Sequence, residues 1–329
     1  KEVLKRYEKY IKDFELMAEL ATILKNKRKE NGYLNLDIPE SKITLDENGF
    51  AIDVQKYETY FSNEIIEQFM LAANETVAEK FYWLQAPFIY RNHEAPDLDK
   101  VKDLNKVLYN FGYKIKISKE DIIYPNEFAK ILDDVKGKET EKVVSNIILR
   151  TLRVAKYEAE NKGHFGIASK YYCHFTSPIR RYPDLFIHRI ISKYLENDYM
   201  VNDFWIKKYE KRAEKRAENC SERERTATKV EREAEDIKKA EYMENKIGEE
   251  YNGIISSITN FGIFVELENT IEGLIRYETL GDEYFIYNEE RREAIGEHSN
   301  KIYKIGDKVK IRVADANKAL RRIDFEIVE

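Results

Sequence analysis

The sequence predicts an α+β chain, a mostly helical first part followed by a five-stranded β-barrel of the OB type. Three observations predict it. Through most of residues 1–247 apolar side chains recur every three or four positions, the period of helices with one buried stripe. After Gly248 the pattern changes to short runs of period two separated by turn residues. The 329 residues, 43% of them hydrophobic, suffice for about two domains. The boundary is expected near Ile247, giving units 1–247 and 248–329.

Residues 1–29 read as a helix, with Leu4, Tyr7, Ile11, Phe14, Met17, Leu20 and Leu24 on one stripe and Asn31-Gly32 as its stop. Residues 33–57 read as extended, folded back at Asp46-Glu47-Asn48-Gly49. A helix over 63–84 has a wide apolar face, and Pro87 ends that region. Further helices are expected at 99–111, 126–132 and 141–157. Residues 161–182 form a polar, aromatic loop, and a helix follows Pro183 with Asp184 as its N-cap. Residues 204–247 read as one long charged helix. Its seam of small residues (Ala213, Ala217, Cys220, Ala227, Val230, Ala234, Ile237) suits close packing better than a coiled coil. The five barrel strands are 253–258, 261–267, 272–275, 308–314 and 322–328.

Charged residues make up 36% of the chain and the net charge is -5, which in total does not favour a nucleic-acid ligand. Distribution matters more than the sum. Between Lys301 and Arg322 eight basic residues face two aspartates, and Arg180-Arg181 form a second basic knot. No run approaches the roughly 20 apolar residues of a membrane span. The two cysteines, Cys173 and Cys220, have neither metal-ligand nor redox spacing, so a reducing, cytoplasmic setting is expected. No HxH or HxxxH spacing points to zinc, and no histidine is assigned a catalytic role.

Chemistry concentrates in Tyr172-Cys-His-Phe-Thr-Ser-Pro-Ile-Arg-Arg-Tyr-Pro-Asp-Leu-Phe-Ile-His-Arg189. Pro178 and Pro183 stiffen it and bias Ser177 and Tyr182 toward extended backbone. The two arginines are thereby held on a stiff turn at a helix start. A guanidinium fork suits phosphate, and so does a helix N-terminus. The competing reading of the same residues is that Arg180 and Arg181 pair with carboxylates and pin the loop.

This run resembles the signature of the RNB (ribonuclease II/ribonuclease R) exoribonuclease family, HFTSPIRRYxDL followed by HR. Residues 64–75 resemble the family's IEEFM-LAN helix, residues 90–96 its YRxHExP turn, and Gly163-His-Phe-Gly166 its GHFGL lead-in. The resemblance covers essentially the whole chain. It implies a hydrolase that removes nucleotides processively from the 3′ end of single-stranded RNA as nucleoside 5′-monophosphates, with divalent metal, Mg2+, and a water nucleophile. Arg180, the first arginine of the motif, takes the catalytic role of stabilising charge on the phosphate. Ser177, Arg181 and Tyr182 would shape the phosphate path. Glu67 matches a glutamate that contacts RNA near the scissile end, and Gln68 departs from the acidic residue after it. Glu231 is expected on the inward seam of the long helix. A base-stacking phenylalanine of some relatives falls near Leu36 here, in Leu34-Asn-Leu-Asp37, where this sequence departs from the family's pattern.

The family's metal ligands are an aspartate cluster in the first half of its catalytic domain. Asp133-Asp134 and Asp97/Asp99 lack its spacing, so no metal site is expected here and this chain alone is expected to be inactive. The expected partners are RNA and the remaining catalytic half and cold-shock-type domains of one longer polypeptide, acting as a monomer without a membrane. Residues 253–267 and 272–275 resemble the S1 RNA-binding domain. Phe264 points outward by the period of two, a platform for a base. Phe261, Arg276, Lys310 and Arg312 are further RNA contacts expected on the barrel. The acidic stretch Glu278–Glu297 is expected to face away from RNA. Two other readings stay open: a non-catalytic RNA-binding protein with a degenerate nuclease half, and a helical interaction scaffold built on 204–247.

Overall fold

The computed structural model describes residues 2–36, 40–138, 140–281, 283–289 and 291–328. Lys1, where the first helix was expected to begin, and Asp37 beside the expected stacking position lie outside the described residues, as does the Leu4 side chain.

The first helix is broken. α1 (Glu2–Arg6) and α2 (Ile11–Asn31) are separated at Tyr7 by a 3-10 turn. Gly32, at φ 95, ends α2 as the sequence predicts. The expected buried stripe is not buried: Tyr7, Phe14 and Leu20 are exposed, and α2 buries only Ala21 and Arg28. Periodicity reports that a face is apolar, not what covers it. α2 is held on α3 (Phe61–Trp83) by Arg28, which donates to Gln68 Oε1 at 3.1 Å and to Glu75 Oε2 at 2.6 Å.

Between them β1 (Ser41–Leu45) and β2 (Ala51–Lys56) form an antiparallel hairpin. Its turn is fixed by Asp46 Oδ1, which accepts from the Asn48 and Phe50 N–H groups. β3 (Tyr90–Asn92), α4 (Leu98–Tyr109), α5 (Pro125–Val135) and α6 (Glu141–Thr151) follow. α6 stops six residues short of the expected Tyr157. Lys156–Glu158 instead forms β4, paired antiparallel with β3. A non-local ladder outcompetes a helical period that local sequence alone supports.

α7 (Tyr182–Glu196) carries Pro183 in its first turn, with Arg181 at the N-cap position. Asp184 is therefore not the expected N-cap; it lies inside the first turn and is fully buried. α8 (Asp203–Glu244) has 42 residues, about 63 Å of helix. Its N-terminal half buries Trp205, Ala213 and Ala217 in a core shared with α3, β3 and α7, and its C-terminal end buries Ala240 and Met243 in the barrel core. The seam is uncovered between them, where Ala227, Val230, Ala234 and Ile237 are exposed. Glu231, expected to face inward, is exposed as well.

The barrel closes in the order β5 (Glu250–Thr259), β6 (Gly262–Leu267), β7 (Glu272–Arg276), β12 (Arg322–Ile327), β11 (Lys308–Asn317) and back to β5. Only the β7–β12 contact is parallel. Ile263, Val265 and Leu267 point into the core, so Phe264 lies on the outer face, as the alternation predicts. Residues between β7 and β11 form an unanticipated antiparallel sheet of β8 (Phe285–Asn288), β9 (Glu293–Gly296) and β10 (Ile302–Lys304). Its Phe285, Ala294 and Tyr303 join the barrel core. Asp282 and Glu290 of the acidic stretch lie outside the described residues.

One carboxylate ties hairpin, helix and barrel together. Glu241 accepts from the Ala51 N–H at 3.0 Å, from Lys238 at 2.8 Å and from Lys318 at 3.3 Å. The Lys238 and Ala51 donors hold its carboxyl down at about 2.

Candidate functional site

The turn before α7 is organised by the buried Asp184 carboxylate. Its Oδ1 accepts from the Ser177 backbone N–H at 2.7 Å and from Arg181 Nη2 at 2.7 Å. The Ser177 carbonyl in turn accepts from the Arg180 and Arg181 N–H groups at 3.3 and 3.1 Å. Arg181 is thus pinned, as the competing reading of the basic knot anticipates, with its side chain 19% exposed. Arg180 is exposed and pairs with no carboxylate of the described residues. The two adjacent arginines have separate fates: Arg181 folds back onto Asp184, and Arg180 is exposed.

The loop leading to the turn is anchored on α3 by Asn74. Its Oδ1 accepts from the Phe175 N–H at 2.9 Å and its Nδ2 donates to Tyr172 Oη at 3.1 Å. Burial pushes the Tyr172 hydroxyl up to about 12. His174 meets Tyr157 Oη through Nδ1 at 2.8 Å. Burial, and then the nearby Arg181 and Arg91 charges, drives its pKa down to about 2, so the ring stays neutral while it shares a hydrogen bond with the hydroxyl. His188 donates through Nε2 to the Phe175 carbonyl at 3.0 Å and stacks on its ring. Both histidines of the motif are structural.

A cleft of about 560 Å3 opens between α3 and this turn, lined by Ser62, Asn63, Glu67, Asn74, Tyr172 and Arg181. Sequence reasoning named Glu67 and Arg181 there but missed Asn74 and Tyr172; only their places in the matched helix and run pointed to them. Glu67 is exposed and accepts from Tyr33 Oη at 3.3 Å. Burial and that carboxylate raise the Tyr33 pKa. Tyr182 is exposed at the other side of the turn, with the Arg216 guanidinium 5.6 Å above its ring.

On the barrel, Phe261 and Phe264 form an edge-to-face pair at 5.8 Å, with Phe261 half exposed. Phe264 borders a cleft of about 440 Å3 against α8 that also contains Lys239, Arg321 and Arg322. Arg276 lies 3.9 Å from Asp324. Lys310 and Arg312 are not free: Glu250 holds both, at 2.6 and 2.8 Å, and Glu326 also meets Arg312. A larger cleft, about 760 Å3, lies between α6 and the barrel, away from the arginine turn.

Among the described residues no group of three or more His, Cys, Asp or Glu side chains stands close enough to hold a metal ion. The described residues do not assemble the oxygen donor set that Mg2+ requires. Among the described residues no helix is long and apolar enough to cross a membrane.

An arginine turn beside a cleft, joined by one long helix to a small closed barrel, marks the class. The RNB domain model matches residues 1–197 and the S1 RNA binding domain model residues 244–328, and the chain belongs to the RNB family. Within it the chain is similar to ribonuclease R 1 of Lactococcus lactis subsp. lactis, 43% identical over 98% of this chain and 39% of that protein. It is also similar to ribonuclease R of Aquifex aeolicus, 39% identical over 99% of this chain and 45% of that one. The structure of Mycoplasma genitalium RNase R in complex with ribose methylated single-stranded RNA superposes with a TM-score of 0.91 at 30% identity, over 98% of this chain and 50% of that one. The chain thus spans half or less of the length of each.

Proposed function

We propose that the chain works as part of a 3′→5′ exoribonuclease that hydrolyses single-stranded RNA processively to nucleoside 5′-monophosphates. In this reading residues 1–247 are the second portion of the catalytic domain and 248–329 an RNA-binding barrel. The observation that carries it is the free guanidinium of Arg180 on a turn braced by buried Asp184, next to a cleft containing an exposed carboxylate.

The chemistry follows from these groups. Arg180 is available to form two parallel hydrogen bonds to the non-bridging oxygens of a phosphodiester, and those bonds strengthen as charge builds on them. Ser177 and Arg181 hold the turn and Tyr182 flanks it. Glu67 is an acceptor for a ribose hydroxyl of the terminal nucleotide. Phe264 and Phe261 stack on bases upstream, with Arg276 beside them, while Lys310 and Arg312 must leave Glu250 before they meet phosphate. Glu231, on the uncovered stretch of α8, faces the space a strand would occupy. A divalent metal belongs to the whole reading, and among the described residues no group of side chains stands together to hold one. A cytoplasmic setting fits the two free cysteines.

The test is Arg180→Ala in the complete polypeptide. RNA affinity should change little while kcat drops by about 10²–10³-fold. Unaltered turnover removes Arg180 from the mechanism.

A further inference from the structure

Residues 207–218 read Lys-Lys-Tyr-Glu, Lys-Arg-Ala-Glu, Lys-Arg-Ala-Glu, a tetrad repeated three times at the start of α8. Residues four apart lie nearly above one another on a helix, so each position of the tetrad becomes a row. Tyr209, Ala213 and Ala217 form the seated row, with Ala213 and Ala217 buried. Glu210, Glu214 and Glu218 form an exposed acidic row on one side of it. Lys208, Arg212 and Arg216 form an exposed basic row on the other.

That basic row is left unpaired by the register. Carboxylates stabilise a helical cation from three or four residues away, not from two. The residues at those distances from Lys208, Arg212 and Arg216 are Phe204, Trp205, Tyr209, Lys211, Lys208, Arg212, Ala213, Lys215, Arg216, Asn219 and Cys220, none of them acidic. Lys207, Lys211 and Lys215 each have a glutamate three residues on in sequence, although no ion pair forms between them among the described residues. No carboxylate elsewhere among the described residues compensates. Arg212 lies over the Tyr209 ring, Lys208 over the Phe204 and Tyr209 rings, and Arg216 over the Tyr182 ring at 5.6 Å. Like charges four apart repel, so the row is tolerated against helix stability. It also leads to one place: Tyr182 is two residues from Arg180.

We infer that Lys208, Arg212 and Arg216 form a track for consecutive phosphates of a nucleic-acid strand, continuous with the arginine turn through Tyr182. The row is about 12 Å long, which suits a strand better than one phosphate group. Aromatic rings between the cations add surfaces on which bases stack. The inference takes its partner from the nuclease reading.

The test compares two triple variants of the 329-residue chain that remove equal charge from one helix. One is Lys208→Gln/Arg212→Gln/Arg216→Gln; the other is Lys207→Gln/Lys211→Gln/Lys215→Gln. Glutamine preserves helix propensity, so neither should melt below the parent. Binding of a single-stranded 20-mer RNA is measured against salt, and AMP serves as a competitor carrying one phosphate. The first variant should lower the slope of log affinity against log salt by about 2, since each phosphate contact contributes roughly 0.7. The second should leave it nearly unchanged. Equal losses in the two variants, or none in the first, overturn the track. A loss confined to AMP assigns the row to a single phosphate and overturns the strand. If the parent chain shows no salt-dependent RNA binding, the nuclease reading falls with it.

Discussion

Replacing Asp184 with alanine should cost the fold about 3–5 kcal/mol, the range for breaking a buried ion pair from one side. The carboxylate is fully buried, and Arg181, its partner at 2.7 Å, is 19% exposed. Arg181 Nε already lacks a partner, so truncation leaves a largely desolvated cation with no carboxylate at all. The Ser177 N–H loses its acceptor in the same step. Asp184→Asn keeps an oxygen for that N–H but drops the charge, and should cost less, about 1–2 kcal/mol. Urea unfolding with an unchanged m-value reads both. Because total stabilities are about 5–15 kcal/mol, the alanine variant should shift the midpoint visibly. An alanine variant within 0.5 kcal/mol, roughly the scatter of surface substitutions, would refute the assignment of Asp184 as the strut of the turn.

Other outcomes follow from the same structure. Gly273→Ala puts a Cβ 2.4–2.6 Å from three atoms of the Phe325 ring in the barrel core, so it should cost about 1–3 kcal/mol by thermal melting. His174 and His164 have pKa values lowered to about 2 and about 3 from 6.5, chiefly by burial. Protons then bind the unfolded chain first; stability should be full above pH 6.5 and fall as pH drops, by up to about 1.4 kcal/mol per unit for each ring. His174→Asn should flatten that acid limb in equilibrium unfolding. Phe264→Ala should weaken RNA binding by about 1–3 kcal/mol while leaving the melt nearly unmoved, because the ring lies outside the barrel core.

The barrel was legible because its strands alternate cleanly and inward Ile263, Val265 and Leu267 leave Phe264 outside whatever the details of closure. The arginine turn was legible as a motif, but the division of labour within it was not. Which guanidinium Asp184 captures depends on α7 starting one turn earlier than an N-cap at Asp184 allows. β4 was lost to the helical period of 141–157, since its ladder partner lies more than sixty residues away in β3. The exposed stripe of α2 and the uncovered seam at Glu231 share another cause. Amphipathic period identifies a face able to bury itself, whereas burial requires a surface to bury against. The pairing of Lys310 and Arg312 with Glu250 was equally hidden, because β5 and β11 are distant in sequence and adjacent only in the closed barrel.

The central claim is that, of the two arginines in the turn, Arg180 keeps its guanidinium uncommitted, for a phosphate, while Arg181 is held by Asp184. It is tested most directly by measuring turnover and unfolding midpoint together for Arg180→Ala. The account predicts a turnover loss of about 10²-fold or more with an unmoved midpoint. A midpoint shifted as far as that of Asp184→Ala, with turnover intact, would contradict it.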